Sequence, residues 1–222
     1  MTEQQGETIE QAIPEYGWST KPEAGVAREL LPRIREILRR EGIQSGARLL
    51  DIGCGNGFVG GNLSNDWYDV TGLDPSAEGI EIARGKFPNA RWEQMLAEED
   101  VLERLHAEPF DVVISTEVVE HVYTPLAWAR ACRSALRAKG LFVCSTPYHG
   151  YLKNLLISVR GGWDKHADPL WDGGHIKLWS VATLTRLFDL AGFERISWEG
   201  VGRMPMLWKS MLMHGRRPAD GA

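Results

Sequence analysis

The sequence predicts an α/β fold in which a doubly wound, largely parallel sheet is assembled from strand–helix crossover units. Short, continuously apolar runs recur along the chain, and segments with helical spacing separate them. The first run, Leu49-Leu50-Asp51-Ile52, leads into a glycine-rich turn, Gly53-Cys54-Gly55-Asn56-Gly57. The next, Val70-Thr71-Gly72-Leu73, ends in an acid, Asp74. Strands that are apolar on both faces suit a sheet covered by helices on both sides.

Each element has a local reason. Ala24–Arg40 carries Val26, Leu30, Ile34, Ile37 and Leu38 at helical spacing, and Gly42–Gly46 ends it. Arg48–Ile52 is the first strand, Phe58–Leu63 opens a helix, and Val70–Leu73 is the second strand. Ser76 is placed to N-cap Ala77–Lys86, where Glu78 suits the helix dipole. Ala90–Glu93 reads as a short third strand, Glu98–Leu105 as a helix and Asp111–Ser115 as a fourth, fully buried strand. Pro125 starts a helix that runs to Arg137, and Leu141–Thr146 is the fifth strand. Val181–Ala191 is a helix capped by Gly192; Phe193–Trp198 and Met204–Met213 are the last two strands. Residues 1–12 and 215–222 read as polar tails.

The stretch Pro147–Trp179 breaks this alternation. It holds Tyr148, His149, Tyr151, Trp163, His166, Trp171, His175 and Trp179. A loop of this length inside a compact domain is usually functional or disordered, and its aromatic content argues against disorder. It starts at the carboxyl end of a strand, where ligands bind in an open parallel sheet. We therefore expect a single domain over 1–222 with a substrate lid at 147–179. The competing expectation is a satellite core formed by the tryptophans.

The formal net charge of −5 gives no electrostatic footprint for nucleic acid. No apolar run approaches the roughly 20 residues of a membrane span, and Met1–Gln5 lacks a signal-peptide pattern. Cys54, Cys132 and Cys144 show no framework or zinc spacing, which points to a reducing, cytoplasmic setting.

The glycine turn with its following acid describes a pocket for a nucleoside-containing cofactor. Gly53, Gly55 and Gly57 let a ligand approach the main chain, and an acid about 20 residues on holds ribose hydroxyls. Gly55–Gly60 also matches G-x-G-x-x-G, but Asp51 at the mouth would repel a pyrophosphate. It suits a ligand that carries an ammonium and a sulfonium, as S-adenosylmethionine does.

Leu49–Gly57, Val70–Ser76 and Phe110–Val122 together resemble the class I S-adenosylmethionine-dependent methyltransferase family, over roughly residues 45–200. Glu117-Val118-Val119-Glu120-His121 is similar to the Glu-x-x-Glu-His element of the ubiquinone-pathway O-methyltransferase group. Leu136-Arg137-Ala138-Lys139-Gly140 departs from the Pro-Gly-Gly usual there. The resemblance implies a Rossmann-like seven-stranded sheet, mostly parallel, with an antiparallel last strand. By position, Asp51, Gly53 and Gly55 are expected to surround the methionine end of the cofactor, with Cys54, Asn56 and Gly57 also among the cofactor-binding residues. Asp74, Pro75 and Ser76 would take the ribose, Met95 and Leu96 the adenine, and Thr116 the region of the transferred methyl.

For a small-molecule hydroxyl acceptor, His121 is the expected base, since its ordinary pKa lies near neutrality. His149, His166 and His175 are alternatives. Glu117 and Glu120 flank His121, and by resemblance the three would converge on a divalent cation that polarises the acceptor. The same carboxylates also suit a helix start with no metal. Tyr148, His149, Trp163, Trp171 and His175 are expected to line the acceptor pocket, with Trp18 and Tyr16 closing it. A non-catalytic binding module and a nicotinamide-dependent oxidoreductase stand as alternatives.

Overall fold

The computed structural model describes residue 17, residues 25–171 and residues 174–219. Tyr16 and Trp18 lie outside the described residues, so their expected role is not placed.

In chain order the elements are α1 (Ala27–Arg40), β1 (Arg48–Ile52), α2 (Phe58–Asn65), β2 (Asp69–Asp74), α3 (Ala77–Lys86), β3 (Arg91–Gln94), α4 (Val101–Leu105) and β4 (Phe110–Thr116). After a short 3-10 turn at Val119–His121 come α5 (Pro125–Ser134), β5 (Leu136–Pro147), α6 (Tyr151–Val159), α7 (Trp163–His166), α8 (Val181–Ala191), β6 (Glu194–Val201) and β7 (Ser210–Arg216). The seven strands form one sheet in the order β3-β2-β1-β4-β5-β7-β6. β1 pairs in parallel with β2 on one side and β4 on the other, so the strand order reverses there. Such a switch point opens a crevice at the carboxyl ends of the strands. β7 lies antiparallel to both β5 and β6, as the resemblance implies.

Alternate residues of the strands feed two cores. Leu50, Val113, Phe142 and Cys144 face α5 and α8, where they pack with Trp128, Leu184 and Phe188. Leu49, Val112, Ile114 and Val143 face α1 and α2, against Leu30, Ile34, Leu38, Val59 and Leu63. Phe142 stacks on Phe188 and Phe193 with ring centroids 5.0 Å apart in each case. The local signals act as read: Ser76 Oγ accepts from Gly79 N at 3.1 Å, and Gly192 caps α8 at φ 81°.

Three boundaries differ from the sequence reading. α5 stops at Ser134, and β5 begins at Leu136 rather than Leu141, with a bulge between its Phe110 and Val112 pairings. β7 starts at Ser210 rather than Met204. The apolar run 204–208 is a turn-rich loop whose Trp208 packs edge-on against Tyr148. β7 also runs to Arg216, so 215–216 belong to the sheet; Arg216 is held by the Glu41 carboxylate at 2.8 Å.

Candidate functional site

The glycine turn is fastened to the next strand by its own backbone. Gly53 N and Cys54 N both donate to Leu73 O, at 2.7 and 2.9 Å. Gly57 adopts φ 75° at the start of α2 and donates to Cys54 O at 2.9 Å. A Cβ on Gly53 would come 2.4 Å from the Val118 side chain, so this position must be glycine for β1 and the segment after β4 to approach. Cys54 turns its sulfur into a small cluster with Ile80, Ala83 and Trp92, and burial pushes its thiol well up. Its part in the site is its backbone.

Asp74 braces this turn. Its Oδ2 accepts from Gly55 N and its Oδ1 from Ser76 N, both at 2.8 Å. Asn56 Oδ1 accepts from Phe58 N at 3.2 Å. Asp51 is only 1% exposed; its Oδ2 accepts from Gly60 N at 3.0 Å, while its Oδ1 is buried with no partner. Burial first, and then Asp74, push the Asp51 carboxyl up to about 7. A ligand ammonium would satisfy that oxygen and restore the charge, so these residues fit the methionine end of the cofactor. Beyond Asp74, Pro75, Gln94, Met95, Leu96, Glu98 and Arg104 line a cleft of about 240 Å³ where adenine is expected. Thr116 ends β4, opposite Ser145 of β5.

The segment after β4 brings the ionisable groups together. Glu117 sits at φ 56°, a left-handed conformation that costs a non-glycine residue energy and is typical of functional sites. Its carboxylate accepts from Ser145 Oγ at 2.8 Å and Ser210 Oγ at 3.2 Å, and burial pushes it up to about 7. Glu120 is 1% exposed. Its Oε2 accepts from Thr146 Oγ1 at 2.9 Å; its Oε1 has no hydrogen-bond partner and lies 3.9 Å from His121 Nε2. Burial raises its pKa well above the usual range, with Glu117 adding to the effect. His121 Nδ1 donates to Gly174 O at 2.9 Å, which leaves Nε2 as the basic nitrogen.

The insertion supplies the rest. It is two short helices rather than an open loop, and its two ends are stapled. Tyr148 bridges Trp179, His149 N donates to Trp179 O, and Trp179 Nε1 donates to Val119 O. Ile176 N and Lys177 N both donate to Glu120 O. Trp171 and His175 approach His121, with ring centroids at 5.9 and 5.1 Å. His149 stacks on Trp163 at 6.1 Å and faces His166 at 6.4 Å. Tyr148 instead packs between Trp198 and Trp208, on the β6–β7 side.

Glu120, His121 and His175 offer one ligand atom each within 4.8 Å of one another. The Glu117 carboxylate, expected beside Glu120 and His121, is held by Ser145 and Ser210. His175 has its pKa pushed down to about 4, chiefly by burial and then by His121, so it is neutral at pH 7. Its spacing from His121 gave no sign of this meeting. Ser145, Thr146 and Ser210 were also missed, as they lie on strands that read as core, and so was Lys153, as it lies in the aromatic insertion.

A model of the methyltransferase domain family matches residues 24–197. The chain belongs to this methyltransferase family. It is 34% identical over 180 residues to a ubiquinone biosynthesis O-methyltransferase of Cereibacter sphaeroides, covering 75% of this chain and 68% of that one. Its fold is similar to that of a putative methyltransferase of Haloferax volcanii solved with a methyltransferase activator. That match has TM-score 0.65 and 16% identity, over 89% and 93% of the two chains. A Synechocystis magnesium protoporphyrin IX methyltransferase with bound S-adenosylhomocysteine matches with TM-score 0.63 and 17% identity, over 86% and 83%. The cofactor of this methyltransferase is S-adenosylmethionine.

Proposed function

We propose that this methyltransferase moves the methyl group of S-adenosylmethionine to a hydroxyl oxygen of a small-molecule acceptor, with His121 as the base. The observation that carries the reading is the fixed His121 ring. Gly174 O holds Nδ1–H, so Nε2 is the proton acceptor, on the strand edge that carries the glycine turn. The C. sphaeroides relative, an O-methyltransferase by name, supports oxygen as the methylated atom.

The bound cofactor supplies an electrophilic methyl group for in-line displacement. Asp51 would hold its ammonium and Asp74 its ribose, which would fix the direction of attack. His121 Nε2 takes the acceptor proton, and Trp171 and His175 cover the histidine and exclude water. Glu120 with His121 and His175 supports a second reading, in which these three residues would hold a divalent cation that would supply Lewis acidity to the acceptor hydroxyl. Turnover of hydroxylated against aminated acceptors, with and without chelator, tests both. Methylation of amines alone would overturn the oxygen assignment. Chelator-insensitive turnover would remove the cation.

A further inference from the structure

The cleft where adenine is expected has one wall that is loop rather than strand. Past β3, residues 95–98 have no regular secondary structure, and Met95, Leu96 and Glu98 line the cleft. Met95 and Ala97 pack against the core, whereas Leu96 between them is 52% exposed. A wall of this kind binds well only if its shape is fixed beforehand, because a ligand that has to order free backbone pays its conformational entropy.

Arg104 supplies the fixing. It stands on α4, which is itself firmly held. Val101 and Leu105 are buried in the core, Arg91 Nη1 donates to Leu105 O at 3.0 Å, and Ser134 Oγ donates to Glu99 O at 3.0 Å. From this base Arg104 reaches back over the loop and lines the cleft. Its Nη1 donates to Leu96 O at 3.3 Å and to Glu98 Oε2 at 2.9 Å, and lies 3.9 Å from Asp100 Oδ1. Among the described residues Leu96 O has no other hydrogen-bond partner.

The near end of the wall is tied separately. Met95 N donates to Asp74 O at 3.1 Å, and Gln94 Nε2 donates to Pro75 O at 3.1 Å across the cleft. Beyond Met95, the loop side of the cleft depends on one guanidinium. An ion pair as exposed as that of Arg104 and Glu98 adds little to global stability. Its bond to a backbone carbonyl of the cleft wall gives it a local task instead.

We propose that Arg104 is a positioning residue of the cofactor site, which clasps Leu96 and Glu98 into the wall against which the adenine ring packs. This rests on the methyltransferase reading with adenine in this cleft, and adds the residue that shapes the cleft before the cofactor arrives.

The test is titration calorimetry of S-adenosylhomocysteine and of 5′-methylthioadenosine, which keeps adenine and ribose but lacks the amino-acid end. The proteins are wild type, Arg104→Met, Arg104→Lys, Glu98→Gln and the double variant Arg104→Met/Glu98→Gln. Arg104→Met should weaken both ligands by the same factor, about 5–30-fold, as the ordering of about one backbone residue implies. Its melting temperature should stay at that of wild type. Arg104→Lys keeps a charged group with several donors and should recover most of the affinity. The double variant should lose no more than Arg104→Met alone, since both changes open one clasp. Unchanged affinity in Arg104→Met, a loss confined to S-adenosylhomocysteine, or additive losses in the double variant would overturn the proposal. So would a loss that Arg104→Lys does not recover, or one that tracks a lowered melting temperature. Absence of S-adenosylhomocysteine binding in wild type would sink the methyltransferase reading beneath it instead.

Discussion

Replacing Asp51 by Asn should make the protein more stable at alkaline pH and a poorer cofactor binder. Asp51 is 1% exposed, and its carboxyl is pushed up to about 7 by burial and then by Asp74. The unfolded-chain value is about 3.9. The folded state therefore holds a proton that the unfolded state has lost between these two values. That contribution is full below about pH 4 and disappears as pH rises through about 7. At about 1.4 kcal/mol per pH unit, ionised Asp51 costs the free protein on the order of 4 kcal/mol at pH 8. Asn keeps an oxygen for Gly60 N but leaves an amide without an acceptor, at about 1–3 kcal/mol. Asp51→Asn should thus gain about 1–3 kcal/mol at pH 8, or roughly 2–4 °C of Tm per kcal/mol, and lose that advantage by pH 5. Losing the charged partner of the cofactor ammonium should weaken S-adenosylhomocysteine about 10–150-fold. Wild-type affinity should rise with pH through about 7, while that of the variant stays flat. Melting curves and titration calorimetry from pH 5 to 8 read both effects. A variant with unchanged affinity, or one less stable than wild type at pH 8, would refute the assignment of Asp51.

The remaining predictions concern the ribose, the base and the insertion. Asp74→Ala removes acceptors from both Gly55 N and Ser76 N, so it should lower stability as well as S-adenosylhomocysteine affinity, the latter by roughly 2–4 kcal/mol. Asp74→Asn should retain part of each; calorimetry that finds wild-type affinity in Asp74→Ala would contradict the ribose placement. His121→Ala should lower turnover about 10²–10⁴-fold with little change in cofactor affinity, and equal turnover would exclude the base role. Because the ends of the insertion are stapled, hydrogen exchange should show residues 174–179 protected in all states, with 151–171 gaining protection when cofactor and acceptor bind. Trp171→Ala should raise the KM of the acceptor; an unchanged KM with uniform protection would favour a satellite core.

The cofactor half of the site was legible because its residues are consecutive. A buried strand, a glycine turn and an acid at the end of the next strand are local patterns, and Gly53, Asp74 and Ser76 lie where those patterns put them. The acceptor half was less legible because tertiary packing builds it. His121 meets His175 through the strap from Ile176 and Lys177 to Glu120 O and its own bond to Gly174 O. Glu117 takes its hydrogen-bond partners from serines on β5 and β7, far away in sequence. The late start of β7 has a similar origin. Met204–Trp208 carries a strand-like apolar pattern, but Arg203 and Met206 take positive φ and Trp208 folds onto Tyr148. The helices of the insertion went unread because aromatic and histidine content masked a short helical run at Tyr151–Val159.

Methyl transfer itself is the most direct test of the central claim. The protein is incubated with ¹³C-methyl-labelled S-adenosylmethionine and a panel of hydroxylated aromatic acids, phenols, amines and thiols, and the products are read by NMR. The account predicts a ¹³C-methyl group on oxygen, formed with an equal amount of S-adenosylhomocysteine and lost in His121→Ala. Label on nitrogen, sulfur or carbon, or product formation unaffected in His121→Ala, would contradict it.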